Sequence, residues 1–160
     1  KSEVRGQKSE VGSRKSDVGD QRAADSEFRS GVRIESAKDL SVYGKAFEQA
    51  MQLFELTRRW PSEERYALTS QIRRSSRSVC LNLREAWAKR RYEAHFVSKL
   101  TDCDGENAET DSSLDFALQC GLITESEHDK LSSLNAEIGR MLGAMIKNPT
   151  KFLITPSSKD

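Results

Sequence analysis

Apolar residues recur along this chain at spacings of three and four, in four stretches separated by helix breakers. Tyr43, Phe47, Ala50, Met51 and Phe54 fall at helical spacing. They predict a first helix from about Ser36 or Leu40 to Arg59. Trp60-Pro61 stops it, because the residue before a proline is pushed out of the α region. The longest uninterrupted stretch, Tyr66 to Arg91, contains neither Pro nor Gly and reads as a second helix. At roughly 100° per residue, Leu68, Ile72, Val79, Leu83 and Ala86 lie within about 60° of one another. Ser62 is the expected N-cap of this helix, with Glu63 and Glu64 favourable in its first turn. Phe96, Leu100, Cys103, Asn107, Leu114 and Leu118 form the stripe of a third helix, Tyr92 to Cys120, with polar Asn107 in its middle. Gly105 weakens that helix unless it permits close packing, and Gly121 fits its C-terminal cap. Thr124 and Glu127 have the spacing of a capping box. The fourth helix that they open carries Leu131, Leu134, Ile138, Met141, Leu142 and Met145 along a bundle seam, and Asn148-Pro149 ends it.

Four amphipathic helices joined by short connections predict an all-α fold, an antiparallel up-down four-helix bundle over residues 36–149. No alternating β-rich stretch competes with this. Residues 1–35 form a different kind of sequence. KSEVRGQ, KSEVGSR and KSDVGDQ follow one another with a period of seven, and RAADSEF is a degenerate fourth copy. A coiled coil needs two apolar positions per heptad. Each clear repeat offers only a valine (Val4, Val11, Val18) and carries a glycine (Gly6, Gly12, Gly19). The expectation is a disordered, nearly charge-balanced arm. In the C-terminal tail, 150–160, Phe152-Leu153-Ile154 is expected to dock on the bundle or on a neighbour.

Charge changes the picture of the second helix. The 160-residue chain has a formal net charge of +1. From Arg58 to Arg91, however, there are ten Lys/Arg against three Asp/Glu, and from Tyr92 to Asp129 there are ten Asp/Glu against one Lys. Arg73, Arg77, Arg84 and Arg91 make a stripe about a quarter to a third of a turn from the apolar one. With Arg74 beside them and Lys89-Arg90-Arg91 at the helix end, they are candidate phosphate contacts, because guanidinium forks match phosphate oxygens and stay charged. The competing reading is internal pairing with Asp102, Glu106 and Glu109, which share one face of the third helix. A mixed outcome, with some arginines paired and others free, is physically easy.

Other chemistry is poorly represented. Cys80, Cys103 and Cys120 show no close pairing, which argues against a zinc site or a disulfide framework and favours a reducing cytoplasm. His95 and His128 do not supply the pair of Glu-x-x-His motifs on facing helices that a di-metal bundle needs, and they are read as surface residues. Ser75, Ser76 and Ser78 beside the arginines are read as small residues for close helix packing. Gly139 and Gly143 offer a small-x-x-x-small surface. No glycine-rich phosphate loop, G-x-S-x-G or H-E-x-x-H is present, so no enzyme, metal or cofactor is expected. No apolar run approaches the ~18 residues that span a bilayer, and no signal-peptide region opens the chain. It begins at Lys1 rather than at a Met, as expected of a trimmed chain or of a partial reading frame.

The segment LTSQIRRSSRSVCLNLREAWAKRRY carries the pattern Q-I-R-R-S/A-x-x-S-x-x-x-N-x-x-E at Gln71, Ile72, Arg73, Arg74, Ser75, Ser78, Asn82 and Glu85. In this, and over about Leu40 to Ile146, the chain resembles the four-helix bundle proteins encoded in intervening sequences of bacterial 23S ribosomal RNA genes. The accessory variability proteins of diversity-generating retroelements are relatives of that family. Arg84 stands where the family usually has a small residue, and Ser113 where it has a bulky one. The resemblance implies a non-enzymatic bundle that assembles as a homo-oligomer, a five-fold ring. By analogy with the retroelement branch, it also implies RNA or DNA binding through a basic surface and association with a reverse transcriptase. The two functions that emerge are nucleic-acid binding without sequence readout, through Arg73, Arg74, Arg77, Arg84, Lys89, Arg90 and Arg91, and a protein–protein scaffold whose basic helix meets an acidic protein surface.

Overall fold

The computed structural model describes residues 33–156, and the heptad repeats lie outside them. Four α-helices carry the described chain: α1 (Ser41–Thr57), α2 (Leu68–Ala88), α3 (Glu93–Gln119) and α4 (Glu125–Lys147). No strand occurs among the described residues. Each helix packs on its neighbours in sequence, and α1 packs on α4, which closes a square bundle. The α2–α3 face is the most extensive.

The breakers act where the sequence places them. Helix α1 gives way at Thr57, and Trp60 N–H still reaches the Thr57 carbonyl at 3.2 Å before Pro61 turns the chain. Gly121 takes φ = 71° after α3, and the N–H of Leu122 donates to the Ala117 carbonyl at 2.9 Å, closing a left-handed C-terminal cap. Thr124 and Glu127 form the capping box that opens α4. The start of α2 differs from expectation. Ser62 belongs to a separate 3₁₀ turn, Ser62–Glu64, and α2 begins only at Leu68. Its N-cap position is Ala67, which has no side-chain acceptor, and a carboxylate oxygen of Glu64 takes the Leu68 N–H instead, at 3.2 Å. Pro61 favours this outcome, since its fixed φ starts a tight turn whose exit must then be re-aimed before the longer helix can begin. The far end of α2 also comes early, at Ala88, so Lys89, Arg90 and Arg91 sit in the turn before α3.

The interior has two apolar clusters with a polar layer between them. One contains Val79, Leu83, Phe96, Leu100, Ile138, Leu142 and Met145. The other contains Leu53, Trp60, Ile72, Leu114, Ile123 and Leu131. In the layer, Asn135 Nδ2 donates to Gln49 Oε1 (3.3 Å), Asn107 Oδ1 (3.0 Å) and the Asn107 carbonyl (3.1 Å). Asn107 Nδ2 returns a bond to the Asn135 carbonyl at 3.0 Å, and Gln49 Nε2 reaches the Leu131 carbonyl at 3.3 Å. Buried amides satisfied in this way fix which turns face each other, because sliding one helix would strand every partner. Gly139 keeps room for this layer: a Cβ there would stand 3.3 Å from Asn107 Nδ2. Gly105 and Gly143 face open space, so neither seats a neighbouring helix within the bundle.

Both ends of the described chain fold onto the first cluster. Ile34, Ala37 and Leu40 pack there before α1, held by a capping box between Ser36 and Asp39. After α4, a 3₁₀ turn over Pro149–Phe152 buries Phe152, whose ring lies 6.1 Å from that of Phe96.

Candidate nucleic-acid interface on helix α2

Helix α2 presents two polar flanks on either side of its buried stripe. One meets α3. There Arg74 ion-pairs with both Glu106 and Glu109 of α3, and Gln71 Nε2 donates to Glu109 Oε1 at 3.3 Å. The Arg74 hydrogen bond, more than any other cause, holds the Glu109 carboxyl below its usual range. One layer inward, the Ser75 and Thr110 hydroxyls share a bond of 2.8 Å. Further along, Lys99 of α3 collects Asn82 Oδ1 (3.1 Å), Glu85 (3.0 Å) and Asp102 (3.1 Å). The Lys99 hydrogen bond depresses Glu85, and Glu85 in turn raises Lys99. Most of the Q-I-R-R motif is therefore a helix–helix seam. Lys99 was not singled out in the sequence; its one signal was being the sole cation in the acidic stretch from Tyr92 to Asp129.

The other flank faces α1 and solvent. An open groove of about 460 Å³ runs along it, lined by Arg65, Tyr66, Thr69, Ser70, Arg73, Arg74, Arg77, Ser78 and Leu81. No carboxylate lines it. Arg65, Arg73 and Arg77 form no ion pair with any described residue. Arg73 is held in place rather than neutralised: its Nε donates to Thr57 Oγ1 at 2.7 Å and its Nη2 to the Phe54 carbonyl at 3.3 Å. The Arg73 and Arg77 guanidiniums both lie over the Phe54 ring, 4.7 and 5.7 Å from its centroid. Such stacking orients a guanidinium while leaving its donors for another partner. Tyr66, 89% exposed, stands at one end of the groove and exposed Leu81 at the other.

The seven arginines and lysines expected to act together do not share one surface. Arg73, Arg74 and Arg77 border the groove. Arg84 instead donates to Ser36 Oγ at 2.6 Å, tying the segment before α1 to α2. Lys89 pairs with Glu85 at 3.5 Å. Arg90 stacks 4.0 Å over Trp87 and donates to its carbonyl at 2.7 Å, and burial pushes its pKa down. Arg91 is exposed in the turn beyond the helix. Sequence reasoning missed Arg65, Tyr66 and Thr69, because their place depends on where α2 begins. The anticipated pairing with Glu106 and Glu109 does occur, through Arg74 rather than through Arg73, Arg77 or Arg84, and Asp102 is taken by Lys99.

Among the described residues, the cysteines and histidines do not assemble a reactive centre. All three cysteines are free. Burial pushes the Cys80 thiol up to about 11 and Cys103 to about 12, far from the thiolate that nucleophilic chemistry needs. His128 pairs with Asp115 at 2.7 Å, while His95 is exposed, edge-on to the Tyr92 ring. Among the described residues no group of His, Cys, Asp and Glu has metal-holding geometry, and no helix is long and apolar enough to cross a membrane.

No curated protein matches the chain. A crystal structure of a protein of unknown function from the S23 ribosomal protein family of Bacteroides thetaiotaomicron VPI-5482 superposes with a TM-score of 0.61 at 28% identity, covering 67% of this chain and 96% of that one. The family model of the 23S rRNA-intervening sequence protein matches residues 38–144, which contain all of α1, α2 and α3 and most of α4. Fold, seam motif and family model agree, and the chain belongs to the 23S rRNA-intervening sequence protein family.

Proposed function

We propose that this protein is a non-enzymatic, homo-oligomeric bundle that binds nucleic acid, RNA or DNA, through the open flank of α2 and without sequence readout. The observation that carries the reading is the groove bordered by Arg65, Arg73 and Arg77 with no carboxylate along it, although the neighbouring helix α3 carries seven acidic residues against one lysine. Phosphates supply the missing negative charge, and Tyr66 supplies a face on which an unpaired base stacks. In this reading the groove arginines take phosphates and Tyr66 takes the face of a base, so affinity follows charge and strandedness rather than sequence. The test is a titration with single-stranded RNA, duplex RNA and DNA at two salt concentrations. Binding that weakens steeply with salt and prefers single strands is the expected result, and no binding at low salt overturns the reading.

Self-association has its own support. Phe47 and Met51 on α1 and Leu81 on α2 are exposed, more apolar surface than a solitary bundle needs. The five-fold ring rests on the family resemblance. Sedimentation equilibrium is expected to give a multiple of the chain mass, and a monomer at micromolar concentration overturns it. The scaffold reading is favoured by one observation, the pairing of Arg74 with Glu106 and Glu109, which shows that α2 arginines can meet acidic protein surface.

A further inference from the structure

At the corner where α1 hands over to α2, a second pocket adjoins the groove, and Arg65, Thr69 and Arg73 line both. It measures about 210 Å³ and is completed by Thr57, Arg58, Trp60, Pro61 and Ser62. Three guanidiniums and three hydroxyls surround it, and no carboxylate lines it. Two buried side-chain polar atoms among the described residues have no hydrogen-bond partner: the indole nitrogen of Trp60 and the hydroxyl of Thr69. Both residues line this pocket, and they are only 8% and 7% exposed. A buried donor without an acceptor is costly, and native folds rarely keep one without a reason. Both atoms are closed to solvent in this conformation, so an acceptor seated in the pocket reaches either of them only after a small shift of the pocket wall.

We propose that the pocket formed by Trp60, Thr69, Arg58, Arg65 and Arg73 is a phosphate subsite. The chemistry of the donor set selects the ligand. Indole N–H is a donor only, a threonine hydroxyl can turn to donate, and guanidinium forks take anionic oxygens in pairs. Such a set exceeds what two carboxylate oxygens can accept, whereas a tetrahedral phosphate presents oxygens in several directions. The size agrees: 210 Å³ is far more than one water occupies, yet below the roughly 300–1,000 Å³ typical of sites for larger ligands. Arg73 is already braced by Thr57 and Phe54, so part of the ordering is complete before a ligand arrives. Arg58 has to leave or share its pairing with Glu55, 3.2 Å away, to take part. As a seat for one phosphate of a strand lying in the adjoining groove, the subsite rests on the nucleic-acid reading. As a seat for free phosphate it does not.

The experiment uses the full chain carrying Trp87→Phe, which leaves Trp60 as its one tryptophan. Inorganic phosphate is titrated at constant ionic strength against chloride, and Trp60 emission is followed. The expected result is a saturable change that requires at least tenfold more phosphate in both Arg65→Gln and Thr69→Val. Thr69→Val is the sharper variant, because removing an unpartnered buried hydroxyl should leave the melting temperature unchanged or raise it. No saturable change, or a change indifferent to both substitutions, overturns the subsite. A single-stranded RNA is then added to the phosphate-loaded protein. Displacement of the phosphate signal assigns the seat to a strand phosphate; RNA binding without displacement assigns it to free phosphate. A phosphate response with no RNA binding upholds the subsite and removes the nucleic-acid reading. RNA binding with no phosphate response does the reverse.

Discussion

The two flanks of α2 carry the same residue type and use it in opposite ways. Arg73 and Arg74 are adjacent in sequence and about 100° apart around the helix. Arg74 turns toward α3, where Glu106 and Glu109 receive it, and it becomes part of the seam. Arg73 turns toward α1, which offers only the Phe54 ring and carbonyl and the Thr57 hydroxyl, and its charge stays uncompensated. The difference lies in the partner helix, not in the arginines. A cationic stripe is therefore not a functional unit: its role is assigned residue by residue, by what stands opposite.

If the α3 side is structural throughout, the largest effect on folding should come from the polar layer behind it. Asn135→Ala strands Gln49 Oε1 and Asn107 Oδ1 in the interior and is expected to cost about 2–4 kcal/mol of stability. Denaturant unfolding measures this, and nucleic-acid affinity of the folded fraction should not change. The open side should respond in the reverse manner. Tyr66→Ala removes an exposed ring, so unfolding should be unaffected, while single-strand affinity drops by about 1–3 kcal/mol if a base stacks there. Equal loss with duplex and single strands would contradict the stacking.

Arg74→Gln should cost no more than about 1 kcal/mol of stability, because the pair with Glu106 and Glu109 is partly exposed and screened. The smallest effect concerns pH. Glu109 is held below its ordinary value of about 4.5, chiefly by Arg74. A carboxyl depressed on folding stabilises the fold above its unfolded value, and that contribution is lost as pH falls through the lower folded value. Acid unfolding of the native chain should therefore steepen below about pH 4.5 relative to Arg74→Gln. Identical acid limbs would show that Arg74 does not depress Glu109.

Helix periodicity, the Trp60-Pro61 stop, the capping box at Thr124 and Glu127, and the polar position at Asn107 were all legible in the sequence, because each depends on residues within a turn or two. The site was legible only in part. The wheel places Arg73, Arg77 and Arg84 on one stripe, but Arg84 lies eleven residues, about 16 Å, along the axis from Arg73, and is engaged by Ser36. Arg65 and Thr69 could not be placed, because Glu64 rather than Ser62 caps α2 and shifts its start. Which flank faces the acidic helix follows from how the α1–α2 connection sets the rotation of α2, a tertiary property that spacing does not carry. Arg84, which the resemblance marks as a departure, is engaged by its bond to Ser36. Ser113, which the resemblance marks as a second departure, is buried, and nothing in the structure explains a serine there.

The division of α2 into a structural and a binding flank is tested most directly by salt titrations of RNA binding with Arg77→Gln and Arg74→Gln side by side. Arg77 faces the open groove, so its loss should reduce the slope of log affinity against log salt by about 0.7 for single strands, with little change in melting temperature. Arg74 is neutralised by two glutamates, so its loss should leave that slope unchanged and lower the melting temperature instead. An Arg77→Gln protein with the native slope and a lowered melting temperature, beside an Arg74→Gln protein with a reduced slope, would contradict the account.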